Sequence, residues 1–281
     1  MGNVVERADH YRHQDGYDVI TNRSTPAYQV NIAKLRGCWD YRIYQDSPNE
    51  GCTSIANILE MPVLFTKVKF DERLDLRPLG KLITQQKLDQ VLIPEILGNL
   101  SNPASLEVVG SQNWDLVRKF STLRQVKNLH LDYGSFPETQ VGLEVILEEK
   151  LAQGVLERLT LSGKWPKNYL PNIVPLANME KPVILDLKDL KLSVTSEIIQ
   201  VYVRRWRKAS GRVKIFVSGK SGFGPEDVKK YFEFHNMESY GEDKKYYMDR
   251  RLGQHRLSLK VNPTRFVLRS HCQDDCYGCQ F

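Results

Sequence analysis

Along this 281-residue chain one short signature of apolar and polar positions recurs four times: an apolar residue, two others, an apolar residue, a spacer, an apolar residue. The copies are Phe65-x-x-Val68-x-Phe70, Val126-x-x-Leu129-x-Leu131, Leu156-x-x-Leu159-x-Leu161 and Pro182-x-x-Leu185-x-Leu187, with a partial fifth at Leu106-x-Val108. Residues two apart point to the same side of an extended chain, so each copy predicts a strand with one buried face. Between the copies the apolar spacing lengthens to that of helices. Leu82, Ile83, Leu88, Val91, Leu92, Ile96 and Leu97 predict a helix kinked or split at Pro94, and Trp114, Val117, Phe120 and Ser121 predict another. The clearest helix runs from Pro137 to Gln153, opened by a proline suited to a first turn and stopped by Gly154.

A single strand–helix unit cannot bury the apolar side of its strand alone, so successive units stack and share a core. The pattern therefore predicts an α/β fold, an irregular leucine-rich-repeat-like solenoid with an N-terminal hairpin and a small C-terminal α+β cap. Anchored on Val68, Leu106, Leu129, Leu159 and Leu185, the strands are spaced 38, 23, 30 and 26 residues apart, against about 20 to 29 for regular leucine-rich repeats. The hairpin is read from Tyr28, Val30 and Ile32, a turn at Gly37, and Trp39, Tyr41 and Ile43 on the return. A short helix opens at Thr53. Past residue 192 the pattern changes to a helix over Val194 to Arg207, a strand over Arg212 to Val217 and a helix over Pro225 to Phe234. A meander of three strands follows, over Lys245–Arg250, His255–Val261 and Thr264–Ser270. The expected organisation is a disordered or remnant N-terminus over 1–27, hairpin plus solenoid over 28–192, the cap over 193–270 and a Cys-rich tail over 271–281.

The residues between the buried positions of each strand face the other way. Lys69, Asp71, Glu107, Asn128, His130, Asp132, Arg158, Thr160, Ser162, Asp186 and Lys188 thereby predict one polar, concave face suited to a protein target. A solvated sheet surface is the competing reading of the same residues.

Charge alters this picture only in the C-terminal third. The net charge is +6, yet from Ser193 onward 17 Lys and Arg stand against 10 Asp and Glu. Arg204, Arg205, Arg207 and Lys208 form the densest basic patch, which makes nucleic acid or another acidic surface the alternative partner. Solvated helix and strand faces account for the same charges, since no stacking motif accompanies them. Apolar content of 41% and the lack of any run near 20 apolar residues fit a soluble globular chain with no membrane partner. The N-terminal stretch is too polar and acidic for a secretory signal, so the expected location is cytoplasmic or nuclear, with reduced cysteines.

Few motifs carry chemistry. His271, Cys272, Cys276 and Cys279 are the weak candidates for a zinc site, against an exposed tail with no such role. The Cys-x3-Cys-x2-Cys spacing of radical enzymes requires a barrel after the motif, and two residues follow. Gly219-Lys220-Ser221 lacks the glycine that a phosphate loop needs at position 214, where Lys214 stands. The six histidines form no metal-binding or hydrolase pair; His130 with Asp132 and Thr160 suits binding as well as catalysis. No enzymatic activity and no cofactor are expected.

Several stretches resemble a large nematode family of F-box-containing proteins: Gly37-Cys38-Trp39-Asp40-Tyr41-Arg42, Leu185 to Leu192, Val201-Tyr202-Val203-Arg204-Arg205-Trp206 and the meander around Lys245 to Leu268. The resemblance spans roughly residues 28 to 270. It implies a repeat region that recruits a target for a ubiquitin ligase whose adaptor docks on an N-terminal F-box. Residues 1–27 are too short and polar for that helical box, so adaptor docking is not carried over. The expectation is the recruitment half alone, a non-enzymatic protein-interaction module.

Overall fold

The computed structural model describes residues 5–12, 18–35, 38–45, 54–60, 62–71, 80–109, 113–134, 137–174, 176, 183–187, 189–209, 213–232, 237–240, 242–249 and 255–272, those of 5–12, 18–24, 35, 137–141, 168, 237–240, 271 and 272 by backbone alone. The protein is mixed α/β, with strands in open sheets and fewer helices. It divides into two compact units, residues 1–128 and 129–281.

In the first unit, β1 (Val5–Arg12) and β2 (Asp18–Thr25) pair antiparallel, in a stretch where composition gives no strand signal. The expected hairpin is β3 (Ala27–Leu35) and β4 (Cys38–Gln45), in register from Tyr28 opposite Gln45 to Leu35 opposite Cys38. A short helix α1 (Ile55–Leu59) follows, with the Ser54 hydroxyl accepting from the Asn57 N–H. Then come β5 (Leu64–Phe70), β6 (Lys81–Ile83), α2 (Gln85–Lys87), α3 (Ile93–Gly98), β7 (Leu100–Val108) and α4 (Trp114–Ser121). The strand order is β6-β4-β3-β5-β7, with β3, β5 and β7 parallel.

Two expectations here are corrected. Leu82 and Ile83 belong to the short strand β6 on β4, not to the helix; Thr84 caps α2 by accepting from the Lys87 N–H and ends the strand. Pro94 does not split the helix either. The residues before it, Leu88–Leu92, take a π-turn in which the Ile93 N–H donates to the Leu88 carbonyl, and Pro94 enters α3 in its first turn. Widening the turn relieves the clash a proline ring makes with the preceding carbonyls.

β8 (Val126–Tyr133) crosses from one unit into the next. The second unit continues with α5 (Pro137–Gln153), β9 (Arg158–Gly163), α6 (Leu170–Ile173), β10 (Ile184–Leu187), β11 (Ser193–Val194), α7 (Ser196–Lys208) and β12 (Phe216–Ser221). It closes with α8 (Pro225–Lys229), β13 (Met237–Tyr240), β14 (Asp243–Asp249), β15 (His255–Val261) and β16 (Arg265–Cys272). α5 has the bounds read from Pro137 and Gly154, and Gly154 takes φ +66°. The strand order is β8-β9-β10-β12-β16-β15-β14-β13. β12 runs parallel to β10 on one side and antiparallel to β16 on the other. The chain after residue 192, expected as a separate cap with three meander strands, thus extends this sheet, and β13 adds a fourth strand to the meander.

The repeated signature supplies the core. Phe65, Val68, Phe70, Leu129, Leu131, Leu159, Leu161, Leu185 and Leu187 are all buried, each side chain stabilising the fold by about 1.5–3 kcal/mol through loss of contact with water. Phe70 meets Phe120 of α4 at 5.7 Å. In the second unit Trp165 stacks between Tyr133 at 4.8 Å and Tyr169 at 5.5 Å and donates its indole N–H to the Ser162 carbonyl. The Tyr133 hydroxyl donates to Glu144 of α5; burial first, and then that carboxylate, push it up to about 12. Tyr202 of α7 donates to the Val183 carbonyl at 2.8 Å. The Tyr246 hydroxyl donates to the Pro225 carbonyl of α8, and Tyr246 stands in register with Leu259 and Leu268, so α5 and α8, with α7 packed against α8, lie on the leucine side of the sheet.

Candidate functional site

Side chains on the other face of each sheet are the ones the period-two pattern assigns to recognition. In the first unit they form a closed charge network. Lys69 stands beside Glu107 and beside Asn31 in register, and its Nζ lies 2.9 Å from Glu107 and 3.1 Å from Asp71. Lys67, which the sequence reading omits, pairs with the other oxygen of Glu107. Asn128 donates to Ser105 Oγ at 3.3 Å. Glu107 and Asp71 are buried. Burial pushes the Lys69 ammonium down, but hydrogen bonds to Glu107 and Asp71 outweigh it and the net movement is upward. Two ammonium groups and two carboxylates thus neutralise one another within the sheet surface.

Replacing the shared acceptor tests this network. Glu107→Gln keeps the shape and leaves Lys67 and Lys69 without their common counter-charge. Exposed pairs contribute under about 1 kcal/mol and breaking buried ones costs about 3–5 kcal/mol, so a loss near 2 kcal/mol is expected in urea unfolding. Because the folded-state value of Lys69 lies above its unfolded one, its stabilisation is fully present below pH 10.5 and is lost as the pH rises through the folded value.

In the second unit the corresponding face is open. His130 Nε2 lies 3.4 Å from Ser162 Oγ, so the structure brings His130 to Ser162 across the strands. Asp186 Oδ1 accepts from Ser218 Oγ at 2.8 Å, and Thr160 and Ser218 flank Asp186 in register. Arg158 is exposed. Lys188 lies outside the described residues.

The face extends beyond the strand that carries Asp186. Cross-strand register carries it from Arg158 and Ile184 to Phe216, Arg269, Ser258 and Tyr247, and from Asp186 and Ser218 to Val267 and Lys260. Ile184, Phe216, Val267 and Tyr247 are only partly covered, and Lys220, Arg265 and Arg269 are exposed, Lys220 directly opposite Arg265. Among the described residues none of these last three cations forms an ion pair, whereas Arg256 is held by Asp249 at 2.7 Å and over Tyr247 at 4.4 Å. Sequence reasoning missed this half by assigning it to a separate cap. The local signal was present, since Phe216 and Ser218 alternate with Val217, and Val267 and Arg269 with Leu268.

The basic patch is partly dispersed. Arg204, Arg207 and Lys208 are exposed on α7, Arg205 is half-buried, and Arg207 donates to the Tyr231 carbonyl at 2.6 Å. His271 and Cys272 close β16, while Cys276 and Cys279 lie outside the described residues. Among the described residues no group of three or more His, Cys, Asp or Glu is placed to hold a metal ion, and no helix is long and apolar enough to cross a membrane. No protein-family model, curated protein or solved structure matches the chain.

Proposed function

We propose that this chain is a non-enzymatic protein-interaction module that recruits a protein target on the outward sheet face of its second unit. One observation supports the reading above others: Ile184, Phe216 and Val267 stand partly exposed on a face with no described helix against it, beside Lys220, Arg265 and Arg269, which form no ion pair among the described residues. An aromatic anchor with flanking arginines is the composition of an interaction hot spot, and the exposed cations suit a target with acidic residues around an apolar segment. Parallel pairing of β3, β5 and β7, and of β9, β10 and β12, is what stacked strand–helix repeats require, and it supports a solenoid-like reading of the fold. Under this proposal the resemblance to the F-box family describes target recruitment.

Affinity purification with Phe216→Ser/Arg269→Glu tests the assignment. Recovery of the specific partner should fall at least about tenfold, the cost of losing one anchored side chain. Leu82→Ser, at an exposed leucine of the first unit, should leave recovery unchanged. Equal recovery by wild type and the double variant would remove the sheet face from the account.

A further inference from the structure

α7 presents two different flanks. Ile198, Ile199, Tyr202, Val203 and Trp206 are buried, and Tyr202 ties the helix to the Val183 carbonyl. The other flank carries Gln200, Arg204 and Arg207 at helical spacing, and opposite them lies the 3-10 turn Lys230–Phe232. Gln200, Val203, Arg204, Arg207, Lys230 and Tyr231 enclose a cleft of about 480 Å³. Three cations from two elements converge there, and among the described residues no carboxylate lines it. Of the acidic residues of α8, Glu226 is engaged by Lys229 at 3.6 Å and Asp227 accepts from the Gly224 N–H at 2.7 Å.

We propose that this cleft binds a phosphomonoester carried on a polypeptide side chain, a phosphoserine or phosphothreonine of a partner. A guanidinium fork matches phosphate oxygens with two parallel hydrogen bonds, and an ammonium adds a point charge. Arg207 is held ready by its bond to the Tyr231 carbonyl. The cleft is open to solvent, which leaves room for the chain that carries the anion. A nucleotide is disfavoured by the aromatic supply: among the described residues Tyr231 is the one ring lining the cleft, and Lys230 Nζ already stands 5.3 Å from its centroid. Favourable interaction with the helix dipole accounts for basic residues in the last turn of α7. It does not account for Lys230, which comes from another element. The site is separate from the sheet face, so either assignment stands without the other.

The test uses the full chain and a degenerate library of phosphoserine and phosphothreonine peptides, with its unphosphorylated twin, at physiological salt. The wild type should retain the phosphorylated library preferentially. Arg204→Gln/Lys230→Gln should weaken retention at least tenfold. Lys164→Gln/Lys208→Gln, the same loss of charge at exposed positions outside the cleft, should change it less than twofold. Melting curves check that both variants fold, and Lys230→Gln alone repeats the test should the first double variant melt early. Equal retention of the two libraries, or equal loss in the two double variants, would overturn the proposal. So would complete displacement of the peptides by equimolar inorganic phosphate or by vesicles containing phosphatidylinositol phosphates.

Discussion

Gly163→Ala is expected to cost this protein at least about 3–4 kcal/mol, a large fraction of the 5–15 kcal/mol by which domains are usually stable. Gly163 ends β9 at φ +88°, where a side chain strains the backbone by about 1–2 kcal/mol. A Cβ there would lie 2.1 Å from the Tyr133 carbonyl oxygen and 2.6 Å from its carbon. Those are backbone atoms, so no rotamer change relieves the contact. Either β8 or β9 must move, and three hydrogen bonds meet at this point. The Gly163 N–H donates to Asp189, the Lys191 N–H donates to the Gly163 carbonyl, and the Lys164 N–H donates to the Tyr133 carbonyl, at 2.8–3.1 Å. Each contributes about 1 kcal/mol. Urea unfolding should show a lower midpoint at an unchanged slope. Gly98→Ala is the control: a Cβ at the end of α3 meets nothing within 4 Å, so stability should hold or rise slightly. Equal midpoints for the two variants would contradict the packing described at Gly163.

The second large effect has the opposite sign. Lys150 of α5 is fully buried, with its ammonium 2.9 Å from Gln153 Oε1, and burial pushes it down to about 8. The gap to the ordinary 10.5 corresponds to roughly 3 kcal/mol of cost borne by the charged form in the folded state at neutral pH. Between about pH 8 and 10.5 the unfolded chain holds a proton that the folded chain has released, so stability should rise with pH across that window. Lys150→Met, close in volume and without charge, should raise stability at pH 7 by about 1–3 kcal/mol and abolish that rise. Denaturant midpoints measured from pH 7 to 10.5 check both parts; a destabilised variant would mean that the ammonium is compensated within the fold.

The legible parts of this fold are those that local chemistry determines. The ends of α5 follow from Pro137 and Gly154, and the strand cores from leucines two apart. Leu82 and Ile83 show the limit: two apolar residues before a cap fit a helix start and a strand end equally, and pairing of β6 with β4 decides it. The order of strands is likewise nonlocal. Nothing near Phe216 reveals that β12 lies beside β10, so a face that ended at Lys188 in the sequence reading continues to Lys260. The charge network of the first unit shows the same gap, because Lys67 acquires its role only from the register that sets β5 beside Glu107. The α7 cleft was half visible. Arg204 and Arg207 stand out in the sequence, but Lys230 and Tyr231 join them only through the packing of the 3-10 turn.

Recruitment through the open sheet face is the central claim, and site-specific photo-crosslinking addresses it most directly. A crosslinking amino acid at position 216, on that face, is compared with one at position 145, where Val145 is exposed on α5 on the leucine side of the sheet. The account predicts covalent capture of the same partner that affinity purification recovers, from position 216 and not from position 145. Capture from 145 alone, or equally from both positions, would contradict it.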